Sequence, residues 1–141
     1  MSNSFSNVAS KGLLDYLFGK TSIFDTQPAI WVALFTTDPT DPGVSDAGSV
    51  EATGNAYIRI EAPDTDWNTA TSADPSVLDN VNPITFPEAT GSWGGEINSF
   101  GLYTLVTGGT YLGGGTLGDP KTPTNGDTPR FAAGALDVTL T

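Results

Sequence analysis

Glycine and proline interrupt this chain so often that only short elements can form between them. The 141 residues include 17 glycines and 10 prolines, and several runs between these turn residues alternate polar and apolar side chains, as half-buried strands do. No repeat is visible, and strands do not alternate with helices as they would in a parallel sheet. We therefore predict an all-β fold, an antiparallel β-sandwich or barrel-like (jelly-roll-like) domain, with one short N-terminal helix.

Only one segment predicts a helix, and it spans residues 5–18. Ser4 or Ser6 can cap the first turn with its side-chain oxygen, and Gly19 suits the left-handed residue that follows a helix end. The helical spacing predicts an apolar face. Its residues are Leu13, Leu14, Leu17 and Phe18.

This helix needs a surface to pack on, because isolated helices shorter than ~12–15 residues are marginal in water. The surface is either its own sheet or a neighbouring subunit. We predict a helical arm over residues 1–19 and a single β domain over residues 20–141. The predicted partner-binding residues are Phe5, Leu13, Leu14, Leu17 and Phe18 in the arm, and Trp93 in a glycine-rich turn where its ring would be exposed.

The β domain is expected to contain about six to eight short strands. The run 29–37 is apolar on both faces, which predicts a central strand. In 56–61 the side chains alternate, so that Tyr57, Arg59 and Glu61 would lie on a solvent-facing side.

Shorter runs predict the remaining strands. Gly101 lies within one of them, which indicates a bulge or a close backbone approach, and the turn 107–110 predicts a hairpin. The other predicted strands are 66–69, 83–87 (at a sheet edge), 96–106, 111–117, 130–132 and 135–140, and the predicted loops are 38–54, 70–80 and 118–129.

The chain lacks two residue types on which much catalysis and metal binding depend. It contains no histidine and no cysteine, so imidazole bases, thiolate nucleophiles and the usual transition-metal ligands are excluded. The glycine-rich run 113–116 lacks the lysine and the following helix of a phosphate-binding loop. We expect no catalytic residue, no cofactor site and no metal site, and hence no enzyme.

Carboxylates leave two chemical alternatives open. Pairs of aspartates could supply oxygen ligands to a Ca²⁺ ion, although aspartate beside proline or threonine ordinarily forms turns. Two carboxylates at a suitable separation could also serve a glycoside hydrolase. The aspartate pairs are Asp38 with Asp41, Asp64 with Asp66, and Asp74 with Asp79.

The net charge restricts the partners that the chain can have. Sixteen acidic residues against five basic ones give a charge of −11. Such a surface repels phosphate backbones and anionic lipids, so we expect neither a nucleic acid nor a membrane as partner. It favours docking onto a basic protein surface. The first ten residues lack the basic and apolar regions of a signal peptide, so synthesis in the cytoplasm is expected.

A set of short segments points to a family through its order along the chain. The segments are residues 4–7, 13–19, 31–41, 54–59, 84–87, 93–94, 100–103 and 126–136. Together they resemble small virion proteins of tailed bacteriophages, which are described either as tail-fibre-like or as capsid decoration proteins. The resemblance implies a structural virion component, made in the host bacterial cytoplasm, whose partners are the major capsid protein or other virion proteins.

The function that we predict first is capsid decoration, in which a cement protein bridges and stabilises major capsid subunits. A stiff β domain loses little conformational entropy on docking, and its acidic surface would meet basic patches on the shell. We expect a homo-oligomer, for which a trimer at local three-fold positions is one arrangement. The alternative is a tail fibre or baseplate component that contacts the host surface, with Trp93 and the loop 38–54 facing the receptor.

Overall fold

The structure is a computed structural model that describes residues 4–22, 24, 29–39 and 48–140. Within these residues it is an all-β molecule with one α-helix, as predicted, and every strand pair is antiparallel. The helix α1 spans Asn7–Leu17, and a single 3₁₀ turn spans Asp64–Asp66. The strands are β1 (Ser4–Phe5), β2 (Ile30–Thr37), β3 (Val50–Glu51), β4 (Ile60–Ala62), β5 (Ser76–Asp79), β6 (Ile84–Thr85), β7 (Ile97–Tyr103), β8 (Tyr111–Lys121), β9 (Arg130–Phe131) and β10 (Asp137–Leu140).

The largest sheet has six strands, and β2 lies inside it. The strand order is β1-β8-β7-β2-β3, and β4 also pairs with β2. The central position of β2 confirms the prediction for the run 29–37, since a strand buried on both sides carries apolar residues on both faces. The predicted hairpin is confirmed as well, because β7 and β8 are neighbours joined by residues 104–110.

Two small sheets cover one face of the large sheet. They pair β5 with β10 and β6 with β9. The shared core contains Val32 and Leu34 from β2, and the ring of Phe131 in β9 meets Phe100 edge-on at 6.0 Å between centroids. A sandwich-like arrangement results, in which the face-alternating residues of β2 supply one side of the core.

The opposite face of the large sheet holds a second, smaller cluster. Ala33 and Phe35 of β2 pack there with Tyr103 and Tyr111. Gly101 lies beneath these rings, and a Cβ atom at this position would lie 2.9 Å from the ring of Phe35. The predicted close approach at Gly101 is therefore confirmed, and its cause is an aromatic ring on the neighbouring strand.

The start of the chain is built into the sheet. Phe5 of β1 pairs with Gly113 of β8, and the Ser6 hydroxyl caps α1 by accepting from the amide of Ala9 at 3.1 Å. The same hydroxyl donates to the carbonyl of Tyr111 at 2.8 Å. Gly19 follows the helix with φ of +68°. The predicted division of the chain at residue 19 stays a prediction, but this strand and the first helical turns pack against the β domain.

The faces predicted for residues 56–61 are wrong at Ile58 and Arg59, whereas Glu61 is exposed as predicted. Only Ile60–Ala62 is a strand, Ile58 is exposed, and Arg59 is just 7% exposed. A charged side chain in an alternating run is expected to face solvent, unless hydrogen bonds and an opposite charge compensate for its burial. Arg59 has such partners in Glu51 and in the backbone carbonyls of Leu105 and Gly108.

Two predicted loops contain strands. The segment 70–80 includes β5, whose residues pair with β10 along its whole length, and β8 continues to Lys121 into the segment predicted as a connection. Both additions depend on partners distant in sequence, which short apolar runs do not reveal. Residues 40–47 of the predicted loop 38–54, with Asp41, lie outside the described residues, and the end of that loop contains β3.

Candidate functional site

The end of the helix exposes a cluster of large apolar side chains. We call Leu14, Leu17 and Phe18 the helix-end patch; their exposed fractions are 57%, 67% and 77%. The helix is buried instead along Ala9 and Gly12, whose small size allows α1 to approach the sheet. The bulky residues therefore face away from the core, and burying such side chains is the main favourable contribution to association.

The exposed apolar side chains outside the helix are scattered. Val50, Ile58, Val81 and Leu105 are separated along the chain and lie in different elements or turns. Single exposed apolar residues are ordinary at protein surfaces. The helix-end patch differs because its three members lie within five residues of one another, at the end of one helix.

Two cations border the helix-end patch. Lys11 forms an i, i+4 ion pair with Asp15 on the exposed helix surface, and Lys20, also exposed, follows Gly19. The backbone amide of Lys20 donates to the carbonyl of Asp15 at 2.7 Å, which fixes the turn at the helix end. A chain with only five basic residues thus has two of them beside its exposed apolar patch.

The other predicted partner-binding residues are less exposed. Leu13 is half-buried, and Phe5 is half-buried against the main core. Trp93 is 0% exposed, so the expectation that its ring is exposed is wrong. Its indole N–H donates to the carbonyl of Asn55 at 2.9 Å, and its ring meets Tyr57 edge-on at 5.3 Å between centroids. The glycine-rich turn carries this ring inward.

An apolar groove of about 810 Å³ opens beside β4 and the 3₁₀ turn. We call it the Trp67 groove. Trp67 is half-buried in its wall, and its indole N–H is engaged by the carbonyl of Ala62 at 3.2 Å. The exposed carboxylates of Glu61 and Asp64 lie among its lining residues. The apolar side chains that line it include Phe24, Ile30, Leu78, Leu102, Leu112 and Val138.

A second groove, of about 630 Å³, lies along the end of β8 and beside β9. Its floor includes Phe86 and Phe131, and its polar residues carry both signs of charge. Lys121 pairs there with Asp119 at 2.6 Å in an exposed position. Exposed ion pairs contribute little free energy, and this groove presents no concentrated charge.

Arg59, which alternation predicted to face solvent, is buried and forms a network of hydrogen bonds. Its guanidinium donates to both oxygens of Glu51, at 2.8 and 2.7 Å. It also donates to the carbonyls of Leu105 at 3.0 Å and Gly108 at 2.8 Å, and it lies 3.7 Å above the centroid of the Tyr103 ring. Arg59 therefore holds the turn between β7 and β8 against the sheet.

The ionisation of this network follows from its burial. Burial raises the pKa of Tyr57 far above its ordinary value, and the charge of Glu51 raises it further, although the amide of Leu34 donates to the phenol oxygen. Burial alone would lower the pKa of Arg59, but the hydrogen bond and charge of Glu51 outweigh it and raise that pKa. The arginine stays charged and the tyrosine neutral, as a structural network requires.

The acidic side chains of the described residues are not assembled into a metal-binding group. Among them, no three acidic side chains lie close enough together to hold a metal ion. Two aspartates from the predicted pairs form local hydrogen bonds: Asp66 accepts from Asn82 at 2.9 Å, and Asp79 accepts from Asn68 at 2.6 Å. In the described part of the chain, no helix has the length and apolar character needed to cross a membrane.

Comparison with known proteins gives one family. The model of a family described as "Podophage GP4 fiber I protein gp80" matches residues 4–139, which is nearly the entire chain. None of the curated proteins matches the sequence. The family match covers the helix-end patch, the Trp67 groove and the Arg59 network together.

Proposed function

This chain belongs to the podophage GP4 fiber I protein gp80 family and is a structural component of a phage virion, and from that premise we propose that it is a subunit of a tail fibre. The observation that carries the proposal is the family match over residues 4–139. A subunit of this kind works by holding its shape and by binding its neighbours, so its functional site is a surface through which it assembles.

The structure supports such a role through its rigid core and one exposed apolar surface. Two core clusters pack against opposite faces of the large sheet, and Arg59 ties the turn of residues 104–110 to that sheet. A stiff subunit loses little conformational entropy on assembly. The helix-end patch then supplies the apolar area that a neighbouring virion protein would bury.

The family description favours the fibre over capsid decoration, which the sequence analysis put first. Both functions use a rigid β domain that docks onto other virion proteins, so the fold alone does not separate them. The acidic surface suits a basic partner in either location. We propose that the chain acts without catalysis in either case, because a fibre subunit does its work by binding.

The number of copies in each virion tests the proposal. Quantitative mass spectrometry of purified particles would measure this chain against the major capsid protein. A fibre subunit should be present in on the order of tens of copies, since the tail has low rotational symmetry, whereas a decoration protein repeats over the whole shell. A ratio close to that of the capsid protein would contradict the fibre proposal and return the decoration interpretation to first place.

A further inference from the structure

We propose that the helix-end patch of one copy docks into the Trp67 groove of a second copy. The inference rests on the proposed function, since a fibre contains several copies of its subunits, and it names the partner of the helix-end patch. Both surfaces belong to the same chain, so assembly needs no additional protein.

The two surfaces match in apolar character. The patch presents Leu17 and Phe18 with most of their surface exposed, while the groove is lined mainly by aliphatic and aromatic side chains from several strands. Its volume of about 810 Å³ lies within the range of ~300–1,000 Å³ that is usual for sites that enclose a ligand. The groove can therefore enclose the ends of these two side chains.

The two surfaces also match in charge. Lys20 borders the patch, where Lys11 is already paired with Asp15, and Glu61 and Asp64 border the groove. Among the described residues Lys20 forms no ion pair within its own chain. On a chain of net charge −11, cations are scarce, so their place beside the patch opposes the general repulsion between copies. Complementary charges of this kind set the orientation in which two surfaces meet.

The groove suits protein side chains better than a saccharide. Sugar-binding sites combine an aromatic face with polar groups that are free to bond to hydroxyls. Here the indole N–H of Trp67 is already engaged by Ala62 and the side-chain amide of Asn68 by Asp79. The buried residues of the groove are apolar and include Leu102 and Leu112, whereas Glu61 and Asp64 lie at its exposed border. The apolar lining thus favours leucine and phenylalanine side chains as occupants.

The contact joins two different surfaces, which determines what it can build. The patch and the groove share no residue, so each contact is heterologous. Repeated heterologous contacts produce a closed ring or an open filament. The open filament places identical subunits in series along a fibre, and the closed ring places them around a common axis.

Mixing two complementary variants tests the contact directly. Leu17→Ser with Phe18→Ser removes the patch and keeps the groove, while Glu61→Lys with Asp64→Lys alters the groove and keeps the patch. All four positions are exposed, so both variants should retain the β signal in circular dichroism. In sedimentation experiments the unaltered chain should form oligomers, each variant alone should stay monomeric, and the mixture should give a one-to-one dimer.

Charge reversal provides a second, independent measurement. Lys20→Glu alone should weaken association about tenfold. Mixing this variant with the Glu61→Lys variant should restore association, because the glutamate in the patch of the first chain then faces the lysine in the groove of the second. Glu88→Lys is the matched control, since Glu88 is exposed and does not line the groove. It should leave association unchanged.

Several outcomes would overturn this inference. A monomeric unaltered chain at all concentrations would do so, as would oligomers that persist in both patch and groove variants. Binding of glycans that is lost in Glu61→Lys, without any effect on association, would assign the groove to a saccharide instead. These measurements use the isolated chain, so their failure leaves the tail location untouched, and a shell location found in particles would leave the measured association intact.

Discussion

At the residue scale, the ion pair between the buried Arg59 and the half-buried Glu51 connects several parts of the fold. It joins a strand, a loop and the β7–β8 turn through one guanidinium. Removing Arg59 leaves the carboxylate of Glu51 and two backbone carbonyls without this donor, and a hydrogen bond to a charged group typically contributes ~1.5–3 kcal/mol. In the sequence, the Tyr-x-Arg spacing of residues 57–59 places two side chains of this network two positions apart, but it does not indicate their shared partner Glu51.

We predict that Arg59→Ala lowers the free energy of unfolding by about 2–3 kcal/mol, because the hydrogen bonds of its guanidinium are lost. Arg59→Lys should recover only part of the loss, because lysine cannot bind both oxygens of Glu51 and both carbonyls in one plane. Urea denaturation measures both values. Arg130→Ala is the matched control, since Arg130 is exposed, and a loss at Arg130 equal to that at Arg59 would refute the assignment.

Tyr57 gives a prediction about alkaline pH. Its pKa is raised in the folded state from an ordinary value of 10.0, so the unfolded chain ionises first. The stability that the neutral phenol contributes is complete below pH ~10 and is lost as the pH rises beyond that value. Tyr57→Phe should be less stable than the unaltered chain at neutral pH by ~1–2 kcal/mol, because Glu51 and Leu34 lose a partner.

The measurement compares unfolding free energies of both chains between pH 8 and about pH 11. The difference between them should shrink as the pH rises past about 10, because only the unaltered chain carries this ionisation. A difference that stays constant over the whole interval would contradict the burial of the phenol.

Gly101 shows how one position can exclude every side chain. A methyl group there would meet the ring of Phe35 at 2.9 Å and that of Tyr111 at 3.2 Å. Gly101→Ala should therefore destabilise the fold by ~1–3 kcal/mol through overpacking. Gly118→Ala is the control, because nothing lies within 4 Å of an added Cβ at that glycine. Thermal unfolding followed by circular dichroism separates the two, and equal midpoints would contradict the packing described.

At the element scale, sequence patterns located those elements whose signals are local. The helix, the central strand β2 and the β7–β8 hairpin depend on capping, apolar run length and turn residues, and each was predicted within a few residues of its bounds. The strand β5 was missed because its pairing partner β10 lies more than fifty residues away. The residue pattern within β5 alone gives no information about pairing with β10.

The candidate site was predicted in part for the same reason. Helical spacing identified the apolar residues of the arm, but it could not tell which side the sheet would bury. The contact with the sheet is made through Ala9 and Gly12, so Leu14, Leu17 and Phe18 are left outside. Trp93 was placed wrongly because its neighbours Tyr57 and Phe86, which enclose the ring, come from other segments.

The helix-end patch should matter for assembly and hardly at all for folding. Leu17→Ser with Phe18→Ser should change the free energy of unfolding by less than ~0.5 kcal/mol for each position, as is usual for exposed sites. The same variant should be depleted in purified particles when it is supplied in place of the unaltered chain. Val81→Ser with Leu105→Ser is the control, since both are exposed and isolated. Equal incorporation of the two variants would contradict a role of the patch in assembly.

At the scale of the whole molecule, the described residues combine a sandwich-like β fold with the exposed helix-end patch, which we propose as a docking surface, and the chain carries a strongly acidic net charge. The acidic charge keeps separate copies soluble by mutual repulsion. Specific contacts must then overcome that repulsion, and they do so best where apolar area and opposite charge coincide. This balance suits a protein that is made as single chains and joins a larger particle afterwards.

The position of the chain on the particle distinguishes a tail-fibre subunit from a capsid decoration protein. Particles labelled with gold-bound antibodies raised against the purified chain would show this position by electron microscopy. We expect gold at the tail and none distributed over the shell. Gold spread evenly over the capsid surface would contradict the tail-fibre proposal.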